Sequence, residues 1–177
     1  MTKSRTQAAE SEFQSSWESP FGKITVSCSQ KGVRELSLGP VERSRGKGNG
    51  SGPSGEPSEA RGAALARQAI AELQEYSAGR RKRFSVPLDL RGTPFQLKVW
   101  KALLRIPYGE TRSYRQIARE VGNPRASRAV GMANHRNPVA IVVPCHRVIS
   151  SDGSLGGYAG GLDLKARMLH LEKEHSN

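Results

Sequence analysis

Val139-Ala140-Ile141-Val142-Val143-Pro144-Cys145-His146-Arg147-Val148-Ile149 is the stretch on which the reading of this chain turns. Its first five residues form a continuous, mostly β-branched apolar run, the pattern of a strand buried on both faces. Pro144 has no amide proton to donate and ends the run, so Cys145 and His146 are expected at the terminus of a rigid strand. Thiolate is the nucleophilic form of cysteine. A free thiol of pKa ~8.5 is ionised to only a few per cent at neutral pH, so a reactive cysteine needs a base or a positive neighbour. His146 is the candidate base. Adjacent side chains of an extended segment rarely touch, so a water is expected to bridge thiol and imidazole, with a carboxylate orienting the far ring nitrogen. Glu172, on a helix that carries Leu164, Met168 and Leu171, is the first candidate for that carboxylate, ahead of Asp152 and Glu174. Cys-His adjacency by itself favours a plainer reading, an inert buried thiol beside a satisfied imidazole.

Upstream, the spacing predicts compact helices. Thr93-Pro94-Phe95-Gln96 has the form of a helix start, with Thr93 as cap, Pro94 at the first helical position and Gln96 able to close a capping box. That helix turns Phe95, Val99, Leu103 and Ile106 inward and stops before Pro107. Ser113-Tyr114-Arg115-Gln116 repeats the signal and starts a helix that runs to Gly122. Asn123-Pro124 opens a third helix, to about His135, and the pair forms a helix-turn-helix candidate. In the third helix Ala126, Ala129, Gly131 and Ala133 are small, while Arg125 and Arg128 project three residues apart. Such a helix fits deep in a groove of a duplex, with Arg128 reaching the base stack and Arg125 the phosphates; it fits equally a packed core helix with two solvated arginines. Ser113 and Arg136, at the ends of this helical pair, are further candidates for DNA contact.

The N-terminal half reads differently. Phe21 to Leu38 alternates as a β-hairpin, with Ile24, Val26 and Cys28 on one face, a turn at Gln30-Lys31-Gly32, then Val33, Leu36 and Leu38. Gly39 to Glu59 is rich in Gly, Ser, Pro and charge and is expected to be a flexible loop without an assigned function. Ala63 to Ala78 places Ala66, Ala69, Ile70, Leu73 and Tyr76 at helical spacing and ends at Gly79. Phe84, Val86 and Leu88 alternate as a strand. The fold class expected is α/β, more narrowly α+β: a small N-terminal α/β domain with an antiparallel sheet over 1–90, then a C-terminal helical domain over 91–177. The second holds the helix-turn-helix, winged-helix-like, and the active-site strand.

The 177 residues include 28 Lys/Arg against 16 Asp/Glu, a net charge of +12, and the excess is one-sided. Residues 1–79 hold 10 basic and 9 acidic side chains, so residues 80–177 hold 18 and 7. A basic half of this kind concentrates polyanions and suits a nucleic-acid binder, whereas solubility alone needs no such asymmetry. The two cysteines, Cys28 and Cys145, have no C-x-x-C spacing, which argues against a disulfide framework or a cysteine zinc cluster. The composition, 36% hydrophobic and 25% charged, is that of an ordinary globular protein. No apolar run approaches the ~20 residues of a membrane span, and Met1 to Ser11 lacks the apolar core of a signal peptide. An intracellular protein that meets no membrane is expected, cytoplasmic in a bacterium or nuclear in a eukaryote.

The string Ile141 to Ile149 closely resembles the active-site signature of the O6-alkylguanine-DNA alkyltransferases, the methylated-DNA-protein-cysteine methyltransferases. The resemblance extends through Tyr114, the Gly122-Asn123-Pro124 turn, Arg128-Ala129-Val130-Gly131, Asn137-Pro138 and Gly156-Gly157-Tyr158-Ala159-Gly160-Gly161-Leu162. It is strong over about 93–172 and fainter around Ser19-Pro20-Phe21-Gly22-Lys23. It implies a DNA-repair enzyme used once, in which Cys145 takes the alkyl group from guanine O6 in double-stranded DNA, and O4-alkylthymine is a possible further substrate. His146 then draws the thiol proton through water, oriented by Glu172. Tyr114 protonates guanine N3 and helps rotate the nucleotide outward, and Arg128 fills the vacated stack. Asn137 ties the recognition helix to the active-site strand and belongs to the base pocket, which the backbone around Cys145 and Val148 forms together with Tyr158, Ala159 and the Gly160 loop. Flipping a base costs a few kcal/mol, less for a badly paired lesion, which itself favours damaged sites.

Two departures from the family stand out. A serine is common at the position of Ala159, where its hydroxyl can contact the lesion. Some members hold zinc through N-terminal cysteines and histidines, but here only Cys28 lies there and no histidine precedes His135, so no metal and no cofactor are expected. A monomer is expected. The competing readings are a lesion sensor that binds without transfer, which lacks the cysteine retained here, and a helix-turn-helix regulator, which would carry a second sensory domain. A cysteine hydrolase would give no reason for the basic helix.

Overall fold

The computed structural model describes residues 13–39 and 57–176. Of the loop expected over 39–59, residues 40–56 lie outside the described residues, and Pro57 already begins a helix.

Three strands, β1 (Phe13–Ser19), β2 (Gly22–Cys28) and β3 (Val33–Leu38), form an antiparallel sheet in that order. The expected hairpin is β2–β3, with Ile24 opposite Leu38, Val26 opposite Leu36 and Cys28 opposite Val33. Ile24, Val26 and Cys28 are fully buried, because one face of this alternating pattern is apolar throughout. β1 carries only two apolar side chains, Phe13 and Trp17, and gives a correspondingly weak sequence signal. Helix α1 (Pro57–Ser77) packs on β1 and β2 and starts earlier than its apolar spacing indicates. Gly79, at φ +71°, closes it, its amide donating to the Tyr76 carbonyl.

The strand expected over Phe84–Leu88 is reduced to one parallel bridge, Leu88 to Val33. Pro87 lacks an amide proton, so the segment cannot continue a ladder. Its carbonyl nevertheless accepts from Val33 N at 2.8 Å, and Asp89 N donates to Val33 O at 2.8 Å, which covers the outer edge of β3.

The C-terminal half contains α2 (Pro94–Leu103), β4 (Arg112–Ser113), α3 (Tyr114–Glu120), α4 (Ser127–His135), a 3-10 turn (Cys145–Arg147), β5 (Val148–Ile149) and α5 (Leu162–Glu174). Both expected capping boxes are present: Thr93 with Gln96, and Ser113 with Gln116. β4 and β5 pair in parallel. α4 begins three residues later than Pro124, because Ala126 N donates to Asn123 O at 3.0 Å and residues 123–126 complete a turn. Arg125 therefore sits in the turn and Arg128 on the helix. Trp100 of α2 donates its indole N–H to the Ala133 carbonyl at 2.9 Å, fixing α4 against α2.

The run Val139–Val143 is buried as expected but is not a strand. It touches β3 through one bridge, Val139 to Leu36, and then turns tightly: Val142 N donates to Ala140 O, Val143 N to Val139 O, and Cys145 N to Val143 O. Ile141 has φ +70°, a conformation that costs a β-branched residue on the order of 1–3 kcal/mol. Burial rather than pairing accounts for the apolar composition. Asn137 takes the place of a neighbouring strand, its amide donating to Val143 O at 2.8 Å and its carbonyl accepting from Val139 N at 3.0 Å. Cys145 thus lies at the start of a 3-10 turn, not at a strand end. Buried apolar residues of both halves join in one core. Among the described residues no helix is long and apolar enough to cross a membrane.

Candidate active site

A cavity of about 890 Å³ opens beside Cys145, within the range of roughly 300–1,000 Å³ usual for small-molecule sites. Its walls include Arg128, Gly131 and Asn134 on α4, the glycine-rich loop 156–160 before α5, β3 with Leu36 and Leu38, Tyr114 at the start of α3 and the segment from Asn137 to Cys145. Tyr114, Asn137, Tyr158, Ala159 and Gly160 all line it. Val148 does not; its side chain is fully buried and its carbonyl accepts from Lys165. Arg125 and Arg136 are exposed and outside the cavity, and Ser113 is occupied as the cap of α3. Gly156, at φ +66°, admits the Tyr114 ring, since a Cβ there would lie 2.9 Å from it.

Cys145 is 6% exposed. Burial pushes its thiol up, opposed by the Asn137 amide, which lies 3.2 Å from Sγ, and by the charge of Lys165. The resting sulfur is therefore a thiol, and the proton has to leave during reaction. His146 is fully buried and its Nε2 lies 2.7 Å from Glu172 Oε1. A carboxylate can only accept, so this contact places the ring proton on Nε2 and leaves Nδ1 as a bare lone pair. Nδ1 has no hydrogen-bond partner within the protein. Burial holds His146 below the ordinary histidine range, with Glu172 acting the other way. The imidazole is neutral at pH 7 and able to take a proton.

Of the three candidate carboxylates only Glu172 reaches His146. Asp152 accepts from Ser154 on the surface, and Glu174 pairs with His170, also exposed. Glu172 is fully buried, and burial alone would raise it; the hydrogen bond from His146 and the hydrogen bonds and charge of Arg147 outweigh that and hold it at about 2. Arg147 donates Nε to Oε2 at 2.8 Å and a terminal nitrogen to Oε1 at 3.0 Å, while Gly109 N donates to Oε2 at 3.1 Å.

Three buried polar side chains at this site went unread in the sequence: Arg147, Lys165 and Tyr76. Lys165 is fully buried and donates to the carbonyls of Val148 at 2.5 Å and of Leu155, which fastens the glycine-rich loop to β5; burial lowers it to about 8. Charged residues are seldom fully buried unless paired, so their helical or flanking positions gave no cue beyond Arg147 lying inside an apolar stretch. Tyr76 has the helical spacing of a core aromatic of α1, which gives no sign of a polar role. Among the described residues no group of three or more His, Cys, Asp or Glu side chains is placed to hold a metal ion.

Residues 94–174 match the family model described as 6-O-methylguanine DNA methyltransferase, DNA binding domain, and residues 13–90 match the ribonuclease-like domain of the same methyltransferase. A methylated-DNA–protein-cysteine methyltransferase of Methanosarcina barkeri is 46% identical over 158 residues, covering 89% of this chain and 95% of the relative. The chain belongs to the 6-O-methylguanine DNA methyltransferase family. Among solved structures, Mycobacterium tuberculosis OGT in complex with DNA is 44% identical with a TM-score of 0.75, over 90% of this chain and 92% of that one. An O6-methylguanine DNA methyltransferase from Methanococcus jannaschii, at 28% identity, gives 0.57 over 94% and 91%. In this methyltransferase the family match spans both halves, and the cavity beside Cys145 is walled by both.

Proposed function

We propose that this methyltransferase repairs O6-alkylguanine in duplex DNA by moving the alkyl group to Sγ of its own Cys145, once per molecule. It acts inside the cell as a monomer and without a cofactor. The single observation that carries this reading is the buried Nε2–Glu172 contact of 2.7 Å, which leaves Nδ1 of the adjacent histidine free to accept a proton beside a cysteine on an open cavity.

DNA meets the exposed face of α4, with Arg128 entering the stack and Arg125, Arg136 and the Ser113 cap near the backbone. The alkylated guanine rotates into the cavity between α4 and the glycine-rich loop. As sulfur attacks, its proton passes through a bridging water to Nδ1 of His146, and Glu172 steadies the resulting imidazolium. The S–C bond forms as the C–O6 bond breaks, and the electron pair leaves on the purine. Tyr114 supplies a proton to guanine N3; burial raises its hydroxyl, so it holds that proton until the purine becomes basic. The thioether has no route back to a thiol, which makes the reaction stoichiometric. Ala159 presents a methyl group at the cavity wall, so affinity for the lesion rests on shape more than on a side-chain hydroxyl there.

Single-turnover repair of an O6-methylguanine duplex tests this, with free O6-benzylguanine as the second arm. One equivalent of lesion is expected to be consumed per protein, and none by Cys145→Ala. Arg128→Ala is expected to slow duplex repair far more than reaction with the free base. Continued turnover, or equal losses on both substrates, would contradict the reading.

A further inference from the structure

The N-terminal half does more than wall the cavity. Tyr76, near the end of α1 and fully buried, donates its hydroxyl to Glu172 Oε1 at 2.7 Å and lies 3.4 Å from His146 Nε2. Oε1 thus receives three donors at once: Tyr76, His146 at 2.7 Å and Arg147 at 3.0 Å. A carboxylate oxygen has two lone pairs, so these donors share the same electron density. The hydroxyl is placed by its ring, which packs against Phe21 at 6.3 Å, Phe84 at 5.6 Å and Tyr108 at 6.1 Å between centroids. Two of these three neighbours, Phe21 and Phe84, belong to the N-terminal half. A phenol so confined serves no packing need that phenylalanine would not meet.

We infer that Tyr76 is a positioning residue for the transfer reaction, which acts through Glu172 to set how strongly His146 holds a proton. The inference rests on the proposed role of His146 as proton acceptor for Cys145. Each donor on Glu172 withdraws charge from the oxygen that supports the imidazole. Removing the Tyr76 oxygen leaves Glu172 a stronger acceptor for Nε2–H, so the imidazolium form gains and the neutral, proton-accepting form appears only at higher pH. The other groups facing the pair stay in place: Arg147 beside it on the 3-10 turn, Lys165 of α5 and the Tyr108 hydroxyl. The chemistry at Cys145 is thereby tied to one hydroxyl of α1.

The pH dependence of single-turnover reaction with free O6-benzylguanine tests this on three proteins: wild type, Tyr76→Phe and Phe84→Leu. Tyr76→Phe keeps the ring and is expected to move the acid midpoint up by about half a pH unit, roughly a threefold slower reaction on the acid side. Phe84→Leu loosens the same packing but keeps the hydroxyl, and its midpoint is expected to stay with wild type. An equal loss at every pH in Tyr76→Phe, an unmoved midpoint, or the same upward shift in Phe84→Leu would overturn the inference. Alkylation of Cys145 by iodoacetamide, located by peptide mass, runs in parallel. Wild type that takes no benzyl group refutes the transfer reading, whereas the iodoacetamide midpoints still decide the role of Tyr76.

Discussion

At the scale of single residues, Glu172 organises the site. Its two oxygens collect donors from Tyr76, His146, Arg147 and Gly109, and no part of it is exposed. Such a group is costly to disturb, because the guanidinium of Arg147, 7% exposed, would lose its charge partner in the interior. Glu172→Gln is expected to destabilise the fold by about 3–5 kcal/mol, read from urea denaturation, together with loss of transfer. A change below about 1 kcal/mol would show that Arg147 finds compensation elsewhere. The sequence points to Cys145, His146 and Glu172 because a nucleophile, a base and its orienter are residue types that chemistry demands. Tyr76 and Lys165 escape it, since their partners are backbone carbonyls and a carboxylate distant in the chain, and nothing in local pattern encodes such a meeting.

At the scale of elements, the turns from Asn137 to Cys145 hold the nucleophile without a sheet. Ile141 is bent to φ +70° there, and the side chain of Asn137 supplies the hydrogen bonds a neighbouring strand would have made. Asn137→Ala is expected to cost about 2 kcal/mol or more in urea midpoint terms, since it leaves the Val139 amide and Val143 carbonyl without these partners. A loss under about 0.5 kcal/mol would mean the turns sustain themselves. The capped helices α2 and α3 are legible in sequence because Thr93 to Gln96 and Ser113 to Gln116 carry local signals that tertiary packing leaves intact. The apolar run 139–143 is misleading for a physical reason: full burial selects the same β-branched residues whether the backbone pairs or turns. The start of α4 shifts likewise, as Asn123-Pro124 suits a turn as well as a first helical position.

At the scale of the whole molecule, the two halves meet at the chemistry. β3 gives Leu36 and Leu38 to the cavity, and α1 gives Tyr76 to Glu172, so a sequence read as two successive units does not anticipate the shared wall. The basic excess of residues 80–177 falls on the half that carries α4, and this coarse asymmetry was plain from charge alone. Stability should report the buried pair through pH. Glu172 is held at about 2 against an ordinary 4.5, so its contribution is present above pH 4.5 and lost as pH falls toward 2. His146 is held below its ordinary 6.5, so the unfolded chain takes that proton first and stability begins to fall below about 6.5. Both run the same way: urea midpoints are expected to decline steadily from pH 7 to 3, and a flat profile would mean the pair is not buried in solution.

The most direct measurement is the mass of the intact protein after incubation with an O6-methylguanine duplex, followed by peptide mapping. A single methyl increment on the sulfur of Cys145 is the expected result. An unchanged mass with the lesion tightly bound, or a methyl group found on Cys28 or any other residue while Cys145 stays free, would contradict it.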